Sequence, residues 1–542
     1  MAKRKRETKL AGEPSGKENK VAAAEISKTE ASNGHSKKPK ANNKPKTEVA
    51  TTAPQEDDVE SNVYKLDSDT VTVQIITGSY ERVLHGFTAA IPRDVITSLG
   101  PQKDGSEKKE SHKVDFSDTF LFNAHTSAIR CLALSPNIDN PEGNNKIFLA
   151  SGSTDQRINL YSISTRPPAP AKNRPRLPNL HGNSIAENRR NKELGSLLNH
   201  EASITGLYFP SRSKLMSSAE DCHLAITRTR DWVPLTTIKA PIPVVQGRPS
   251  GDTAGPGEVP SGINDFSVHP SMKLMVSVSK GEKCMRLWNL LTGKKAGVLT
   301  FSREILNAAG EGRFGTGEGR KVEWDADGEE FIVAFERGAV AFGIDCQPTA
   351  TILPSPRTKL HQMKYLPGSS STVAFSTEDG RIIFYDTKST SVSESVTEAA
   401  KKESKIDAGP AAFIAQIGGP AAGISGRVKD FAIFPFANPD KAGSKLYLIV
   451  AASSDGSVRL WTVAESDLKV DAQPEQQEGS ADKGFSAKQV GQLVGTYSTG
   501  TRITCLASFV MTGQPEEDLE EAPAKTEADE KSEESSSAED SE

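Results

Sequence analysis

The chain has 542 residues, a formal net charge of −5, and only 6% aromatic residues. No apolar stretch reaches the length needed to cross a bilayer, and the opening MAKRKRETKL has a basic start without an apolar region behind it, which excludes a secretory signal. Five cysteines (Cys131, Cys222, Cys284, Cys346 and Cys505) lie far apart, with no C-x-x-C and no His/Cys pair at metal spacing. That pattern predicts reduced cysteines packed as small apolar residues in an intracellular protein that needs no metal or other cofactor.

The small net charge hides an asymmetry. Residues 1–47 carry 13 Lys/Arg against 5 Asp/Glu. Long aliphatics are nearly absent there, so residues 1–70 read as a disordered basic extension that cannot offset its chain entropy by burial. Two clusters in it, Lys3-Arg4-Lys5-Arg6 and Lys37-Lys38 with Lys40, have the composition of nuclear-localisation or nucleic-acid patches, against the plainer reading of a solvated tail.

Residues 71–511 break into apolar or alternating segments of five to nine residues, divided by Gly, Asp, Ser and Pro clusters. Examples in chain order are TVQIITG (72–78), IRCLALS (129–135), KIFLASG (146–152), ITGLYFP (204–210), KLMVSVS (273–279), EFIVAFE (330–336) and LYLIVAA (446–452). No strong helical stripe interrupts them. An all-β fold follows, and a recurrence of roughly 40 residues selects a propeller of four-stranded blades. First strands are predicted to begin near 128, 203, 262, 320, 359, 427 and 502, giving seven blades. The last has one strand at the C-terminal side, and three N-terminal strands near 72–78, 82–89 and 118–124 are expected to complete it, so both ends of the folded region close the ring.

Three turns share a polar signature: GSTDQRINLY (152–161), STEDGRIIFY (376–385) and SSDGSVRLW (453–461). In each an Asp (Asp155, Asp379, Asp455) precedes an aromatic (Tyr161, Tyr385, Trp461) by six residues and follows a Ser or Thr (Ser153, Thr377, Ser453) by two. The Asp is expected to bind backbone N–H groups in the turn between second and third strands, and the aromatic to reach back to the Ser/Thr hydroxyl. His125 and His200, each just before a first strand, are expected to complete the network. These residues read as scaffold rather than catalysts. Blade four lacks the turn Asp and the third-strand Trp, blade three has Glu282 in the Asp position, and blade six lacks the His.

Long insertions are predicted at 92–117, 163–192, 387–410 and 464–490, all between third and fourth strands and so on one face, with another at 242–261. The second is basic through Arg166, Lys172, Arg174, Arg176, Arg189, Arg190 and Lys192. It reads either as a solvated Pro-rich linker or as a contact to RNA phosphates or an acidic protein surface, without base stacking because no aromatic is interleaved. Residues 310–315, GEGRFG, match G-x-G-x-x-G but precede a strand rather than follow one, which is the wrong context for a dinucleotide site. No other nucleotide, metalloprotease or hydrolase motif is present. Residues 514–542 hold 13 Asp/Glu against 2 Lys/Arg, so 512–542 reads as a disordered acidic tail. Within it Ser536 and Ser537 have an acid three residues on, the spacing of an acid-directed kinase site.

The recurring turns resemble those of WD40 repeats. ITGSYERVLHGF (76–87) resembles, more narrowly, the opening strand pair of the p21-activated-kinase-interacting-protein family, through Gly78, Tyr80, Glu81, Leu84, Gly86 and Phe87. AHTSAI (124–129), MRLWNLLTGKKAG (285–297), VEW (322–324), GRVKDF (426–431), SSDGSVRLW and TRITCL (501–506) extend the likeness over roughly 72–511. Three loops (163–192, 242–261 and 464–490) exceed the family's compact form and the basic extension is additional, which gives the look of a fungal-type member. The resemblance implies a non-catalytic scaffold of the nucleus and nucleolus that assists maturation of the large (60S) ribosomal subunit and pre-rRNA processing. Its implied partners are ribosomal or ribosomal-like proteins of pre-60S particles and pre-rRNA, with no membrane and no small-molecule substrate. Its alternative implication is an adaptor that binds and restrains a p21-activated kinase.

Overall fold

The computed structural model describes residues 63–66, 68–97, 114–137, 146–168, 184–185, 188, 190–243, 260–312, 315–390, 408–424, 426–439, 443–469 and 487–512. The chain opens with β1 (Thr70–Ser79), β2 (Val83–Pro92), a short helix α1 (Arg93–Thr97) and β3 (Asp115–Asn123). Next come β4 (Ile129–Leu134), β5 (Lys146–Ser153), β6 (Ile158–Ser164), the two-residue β7 (Ser184–Ile185) and β8 (Lys192–Leu197). Then follow β9 (Ile204–Ser211), β10 (Lys214–Ala219), β11 (His223–Arg228) and β12 (Pro234–Lys239), and after them β13 (Ile263–Val268), β14 (Leu274–Ser279), β15 (Cys284–Asn289) and β16 (Lys294–Thr300). Helix α2 (Arg303–Ala308) leads into β17 (Lys321–Trp324), β18 (Glu330–Ala334), β19 (Ala339–Gly343) and β20 (Pro348–Ile352). The last strands are β21 (Leu360–Tyr365), β22 (Thr372–Thr377), β23 (Arg381–Thr390), β24 (Gly409–Gly418), β25 (Val428–Ala437), β26 (Lys445–Ser453), β27 (Ser457–Ala464), β28 (Gln492–Ser498) and β29 (Ile503–Val510).

Among the described residues these strands pair into seven four-stranded antiparallel units. Six are β4-β5-β6-β8, β9 to β12, β13 to β16, β17 to β20, β21 to β24 and β25 to β28; the seventh is β29-β1-β2-β3, built from both ends of the chain. In the seventh, β1 pairs antiparallel with β29 from Val73↔Val510 to Ser79↔Ile503. Two short parallel pairings tie neighbouring units: Ala350↔Gly409 and Thr351↔Pro410 join β20 to β24, and Ser117↔Ser184 and Asp118↔Ile185 join β3 to β7.

The first strand of each unit is the inner one. Contacts run β4 to β9, β9 to β13, β13 to β17, β17 to β21, β21 to β25, β25 to β29, and β29 back to β4, a closed cycle. The apolar packing has the same cyclic order. One cluster joins Ile76 and Leu84 of the closing unit to Leu149 and Tyr161 of the next. Another sets Leu160 against Ile204, a third Ile226 against Trp288, a fourth Val278 against Phe331, and a fifth Ile332 against Phe375. Phe384 meets Ile449, and Phe87 meets Val450 and Leu460 in the cluster that returns to the closing unit. Each sheet therefore packs on both faces, which is why second strands such as β26, KLYLIVAAS, are buried at all but their first residue instead of alternating.

Two expectations change. Packing begins before residue 71: the Tyr64 N–H donates to the Pro435 carbonyl at 2.9 Å, its carbonyl accepts from the Ala437 N–H at 2.9 Å, and Leu66 joins the core beside β25 and β26. Two short helices also occur in the strand-rich region. In α2 the Ser302 hydroxyl accepts the Ile305 N–H at 3.3 Å, and Ile305 and Leu306 drop into the core between the third and fourth units. A helix of six residues is too short to show a 3.6-residue stripe in the sequence. It precedes the GEGRFG stretch and a strand follows, the reverse of the order that a dinucleotide site requires.

Candidate interaction surfaces

The polar turns sit where the second strand hands over to the third. In the β5–β6 turn, Asp155 accepts the backbone N–H groups of Thr126 at 3.0 Å and Arg157 at 3.0 Å. His125 Nδ1 lies 3.1 Å from the same carboxylate, and its Nε2 lies 2.8 Å from Ser151 Oγ. Nδ1–H therefore donates to Asp155 while Nε2 accepts from the Ser151 hydroxyl, which the Tyr161 hydroxyl also reaches. Burial pulls the His125 imidazole below its ordinary range despite Asp155. Burial opposes the shift of Asp155, but the Thr126 and Arg157 N–H groups and His125 hold it below the usual carboxylate range. A neutral histidine thus bridges an ionised aspartate and a hydroxyl chain.

The second unit repeats the arrangement around the expected His200, with Asp221 and Ser217, which the sequence reading missed. His200 Nδ1 lies 3.1 Å from Asp221 Oδ2, and its Nε2 lies 2.8 Å from Ser217 Oγ. The aromatic position is taken by Thr227, whose hydroxyl accepts the Asn199 side-chain N–H at 3.0 Å. A Ser four residues before the Asp was the available signal, in Ser151/Asp155 and Ser217/Asp221.

That signal also corrects the expected partner of the aromatic. The Ser or Thr two residues before each Asp serves the turn: Ser153 Oγ donates to the Ser127 carbonyl at 3.1 Å and accepts the Asp155 N–H at 3.2 Å. Thr377 Oγ1 bonds Asp379 and the Arg381 backbone. Ser453 Oγ accepts from Arg459 at 3.0 Å. The cause is register. Tyr161 lies opposite Leu149, and Trp288 opposite Met275. Each reaches the diagonal neighbour two residues on, so Trp288 Nε1–H donates to Ser277 Oγ at 2.8 Å. In the fifth unit the diagonal residue from Val373 is Phe375, which has no acceptor, and the Tyr385 hydroxyl turns to the Leu353 carbonyl at 3.4 Å. In the sixth, Trp461 faces Ile449 and the diagonal residue is Ala451.

Where the histidine is missing, an arginine from the third strand takes the turn acid. Arg286 clasps Glu282, and Arg459 reaches Asp455 at 3.0 Å. Arg381 binds Asp379 at 2.7 and 3.0 Å, and also the carbonyls of Ser355 and Pro356 and the Gln416 side chain. Arg381 is fully buried. Guanidinium geometry suits this substitution, because one planar fork can serve a carboxylate and several carbonyls together.

The remaining predicted residues are placed unevenly. Of the basic insertion, Arg166, Arg190 and Lys192 mark its two roots: the Arg166 N–H donates to Ser164 Oγ at 3.3 Å, the Arg190 N–H to Asn188 Oδ1 at 2.9 Å, and Lys192 is exposed at the start of the outer strand β8. Lys172, Arg174, Arg176 and Arg189 lie outside the described residues, as do Lys3, Arg4, Lys5, Arg6, Lys37, Lys38, Lys40, Ser536 and Ser537. The segments between β2 and β3, β6 and β8, β23 and β24, and β27 and β28 all join third to fourth strands, on the end opposite the polar turns. The five cysteines are free thiols. No helix among the described residues is long and apolar enough to cross a membrane.

The opening hairpin explains its own sequence. Gly86 faces Phe120 so closely that a Cβ would lie 2.3 Å from Phe120 Cζ, and Gly78 faces Cys505 and Ile129 at 2.7 Å. Phe87 stacks on Tyr497 of the preceding unit with ring centroids 4.1 Å apart. The Tyr80 ring, 60% exposed, lies under the Arg502 guanidinium.

Comparison with known proteins agrees with this architecture. The family described as "WD domain, G-beta repeat" matches residues 116–162, from β3 through β6. The sequence repeat is thus offset by one strand from the structural unit. Protein MAK11 of Saccharomyces cerevisiae is 25% identical over 417 residues, covering 73% of this chain and 78% of that protein. The p21-activated protein kinase-interacting protein 1-like of Gallus gallus is 24% identical over 460 residues, covering 84% and 86%. The human p21-activated protein kinase-interacting protein 1 is 24% identical over 398 residues, covering 73% and 72%.

Proposed function

We propose that this WD-repeat protein is a non-catalytic assembly factor that acts in the nucleolus on pre-60S particles, docking ribosomal or ribosomal-like proteins and supporting pre-rRNA processing. The observation that carries the reading is the opening hairpin. Its Gly78, Tyr80, Glu81, Leu84, Gly86 and Phe87 resemble the p21-activated-kinase-interacting family, and Gly78, Gly86 and Phe87 occupy close-packed positions in the closing unit. Likeness to relatives over most of the chain, MAK11 among them, supports it. The chemistry is consistent: the turn acids and buried histidines are engaged with neighbouring scaffold groups rather than converging on an open cleft. A rigid ring gripped from two ends and a rim suits assembly. The basic clusters at 3–6 and 37–40 would direct it to the nucleus and the insertion at 163–192 would meet RNA or acidic protein.

Sedimentation of the tagged chain through a sucrose gradient tests this. Co-migration with pre-60S particles, and loss of free 60S relative to 40S on depletion, are expected. A free-pool profile with an unchanged subunit ratio refutes it. The second reading, restraint of a p21-activated kinase, is favoured by the printed names of the animal relatives. It predicts direct capture of a kinase regulatory segment by the purified chain.

A further inference from the structure

Inner-strand starts and second-to-third turns share one end of the ring, because ion pairs join them. Arg130, the second residue of β4, meets Glu220 of the β10–β11 turn at 3.2 Å. Arg320 and Lys359, before β17 and β21, share Glu336 of the β18–β19 turn at 3.5 and 2.8 Å. Arg427 before β25 meets Glu378 of the β22–β23 turn at 3.2 Å. Two further cations on this arc have no carboxylate pair among the described residues. Lys429, on β25, places Nζ 3.4 Å from His361 Nε2 on β21. Arg502, before β29, lies over the Tyr80 ring, and its backbone N–H donates to the Glu81 carboxylate at 2.9 Å. The neighbouring acids Asp379 and Asp455 are already occupied by Arg381 and Arg459.

We propose that Lys429, His361 and Arg502, at the starts of three successive inner strands, form an anion site that seats a single acidic side chain of a protein partner. A half-buried ammonium such as Lys429 with no carboxylate pair is unfavourable unless the fold holds it, and a fold that holds it attracts an anion at once. Burial, then Arg427, lowers Lys429. Burial, then Lys429 and three more cations, push His361 down to about 4. So in the free protein His361 is neutral and accepts a Lys429 N–H. An arriving carboxylate or phosphate takes those donors and relieves the repulsion.

The geometry favours a peptide over RNA. Lys429 and His361 meet at one point, and Glu336, Glu378 and Glu81, which accepts the Arg502 backbone N–H at 2.9 Å, lie around the cluster, so one compact anion fits where a run of backbone phosphates would meet these carboxylates. The aromatic beside the cluster, Tyr80, already carries the Arg502 guanidinium over its ring, a contact that a stacking base would have to compete with. Deeper along the inner strands, Lys321 and Lys364 are held by Asp265 and Asp430 at 3.5 and 3.7 Å, so the anion stops at the opening. This inference stands whichever partner the ring serves.

The test is fluorescence anisotropy with the full chain at low salt. Three labelled peptides of one length are compared, Gly-Ser-Glu-Asp-Glu-Gly, its phosphoserine form and its Gln/Asn counterpart, beside a single-stranded oligouridylate. Expected are binding of the acidic peptides, none of the amide peptide, and a roughly tenfold loss in Lys429→Met and in the exposed Arg502→Gln. Lys192→Met, on the opposite end, should leave binding unchanged. Stronger binding of the phosphoserine form identifies phosphate as the preferred anion; equal binding identifies carboxylate. The proposal is overturned by failure of both acidic peptides to bind, by equal binding in the Lys429 and Arg502 variants, or by loss of oligouridylate binding alone.

Discussion

Arg381→Met offers the sharpest test of the idea that buried arginines replace histidines in the turns. The Arg381 side chain is 1% exposed and Asp379 18%. The substitution keeps most of the side-chain volume, so cavity formation is a small part of the cost. It removes the donors to Asp379 Oδ2, to the Ser355 carbonyl at 2.7 Å, to the Pro356 carbonyl at 3.1 Å and to Gln416 Oε1 at 3.1 Å. Each acceptor stranded away from water costs about 1–3 kcal/mol, and breaking a buried ion pair from one side about 3–5 kcal/mol in all. These figures overlap rather than add, so a loss of about 3–5 kcal/mol is expected. Arg459→Met is the control, because Arg459 and Asp455 are 16% and 36% exposed and water can replace the lost donor. Its cost should be about 1 kcal/mol. Equilibrium urea unfolding of the full chain, followed by circular dichroism and tryptophan emission together, measures both. Coincident transitions are needed before the free energies are compared. A loss below about 1 kcal/mol in Arg381→Met, or equal losses in the two variants, would refute the assignment.

Asp221→Ala should destabilise by about 2–3 kcal/mol in the same assay, since it strips the acceptor from His200 Nδ1 and from the N–H groups of Glu201 and His223; an effect under about 0.5 kcal/mol counts against the second-unit network. Stability should also fall with acid in a defined window. His361 titrates near 4 in the folded chain against 6.5 in the unfolded one, so below pH 6.5 the unfolded state binds the proton first and stability declines until about pH 4. The full shift corresponds to about 3 kcal/mol, reduced to about 1–2 kcal/mol because the ring is partly exposed. His125, also lowered by burial, adds in the same direction. A His361→Gln chain should show a shallower decline in urea midpoint between those pH values, and an identical slope rules out this residue as a source.

The strand starts were legible because Ile, Leu and Val runs alternate with turn residues at nearly every handover. Predicted starts near 128, 203, 262, 320, 359, 427 and 502 fall one residue before β4, β9, β13, β17, β21, β25 and β29. Closure by both ends was legible for a different reason: one C-terminal strand and three N-terminal ones were each incomplete alone, and no sheet edge could be left open. The polar network was only half legible. Asp221 escaped because Thr227 stands where an aromatic was sought. Ser151, Ser217 and Ser277 escaped because cross-strand contacts run diagonally, which linear spacing does not display. Arg286, Arg381 and Arg459 carry no signature in the sequence, because burial and an acid within reach are tertiary facts.

The two ends of the ring are under different constraints, and this bears on where partners can act. At the strand-start end, turns of a few residues carry the Asp, Glu, His and Arg contacts, and ion pairs link one unit to the next. Lengthening a turn there would displace a buried polar group, at a cost of a few kcal/mol. At the other end, four third-to-fourth connections have grown to more than a dozen residues. The chain can vary its reach at that end while the short pairings at the roots of these connections, Gly409 with Ala350 and Gln489 with Gln416, stay in place. Recognition at the strand-start end can come from substitutions on the short turns, such as Lys429 and Arg502, beside the longer β12–β13 and β16–β17 connections that open on the same end. Recognition at the opposite end can come from length and composition. A protein built this way can hold one partner by a small, invariant anion contact while its insertions meet another, which is the geometry an assembly scaffold requires.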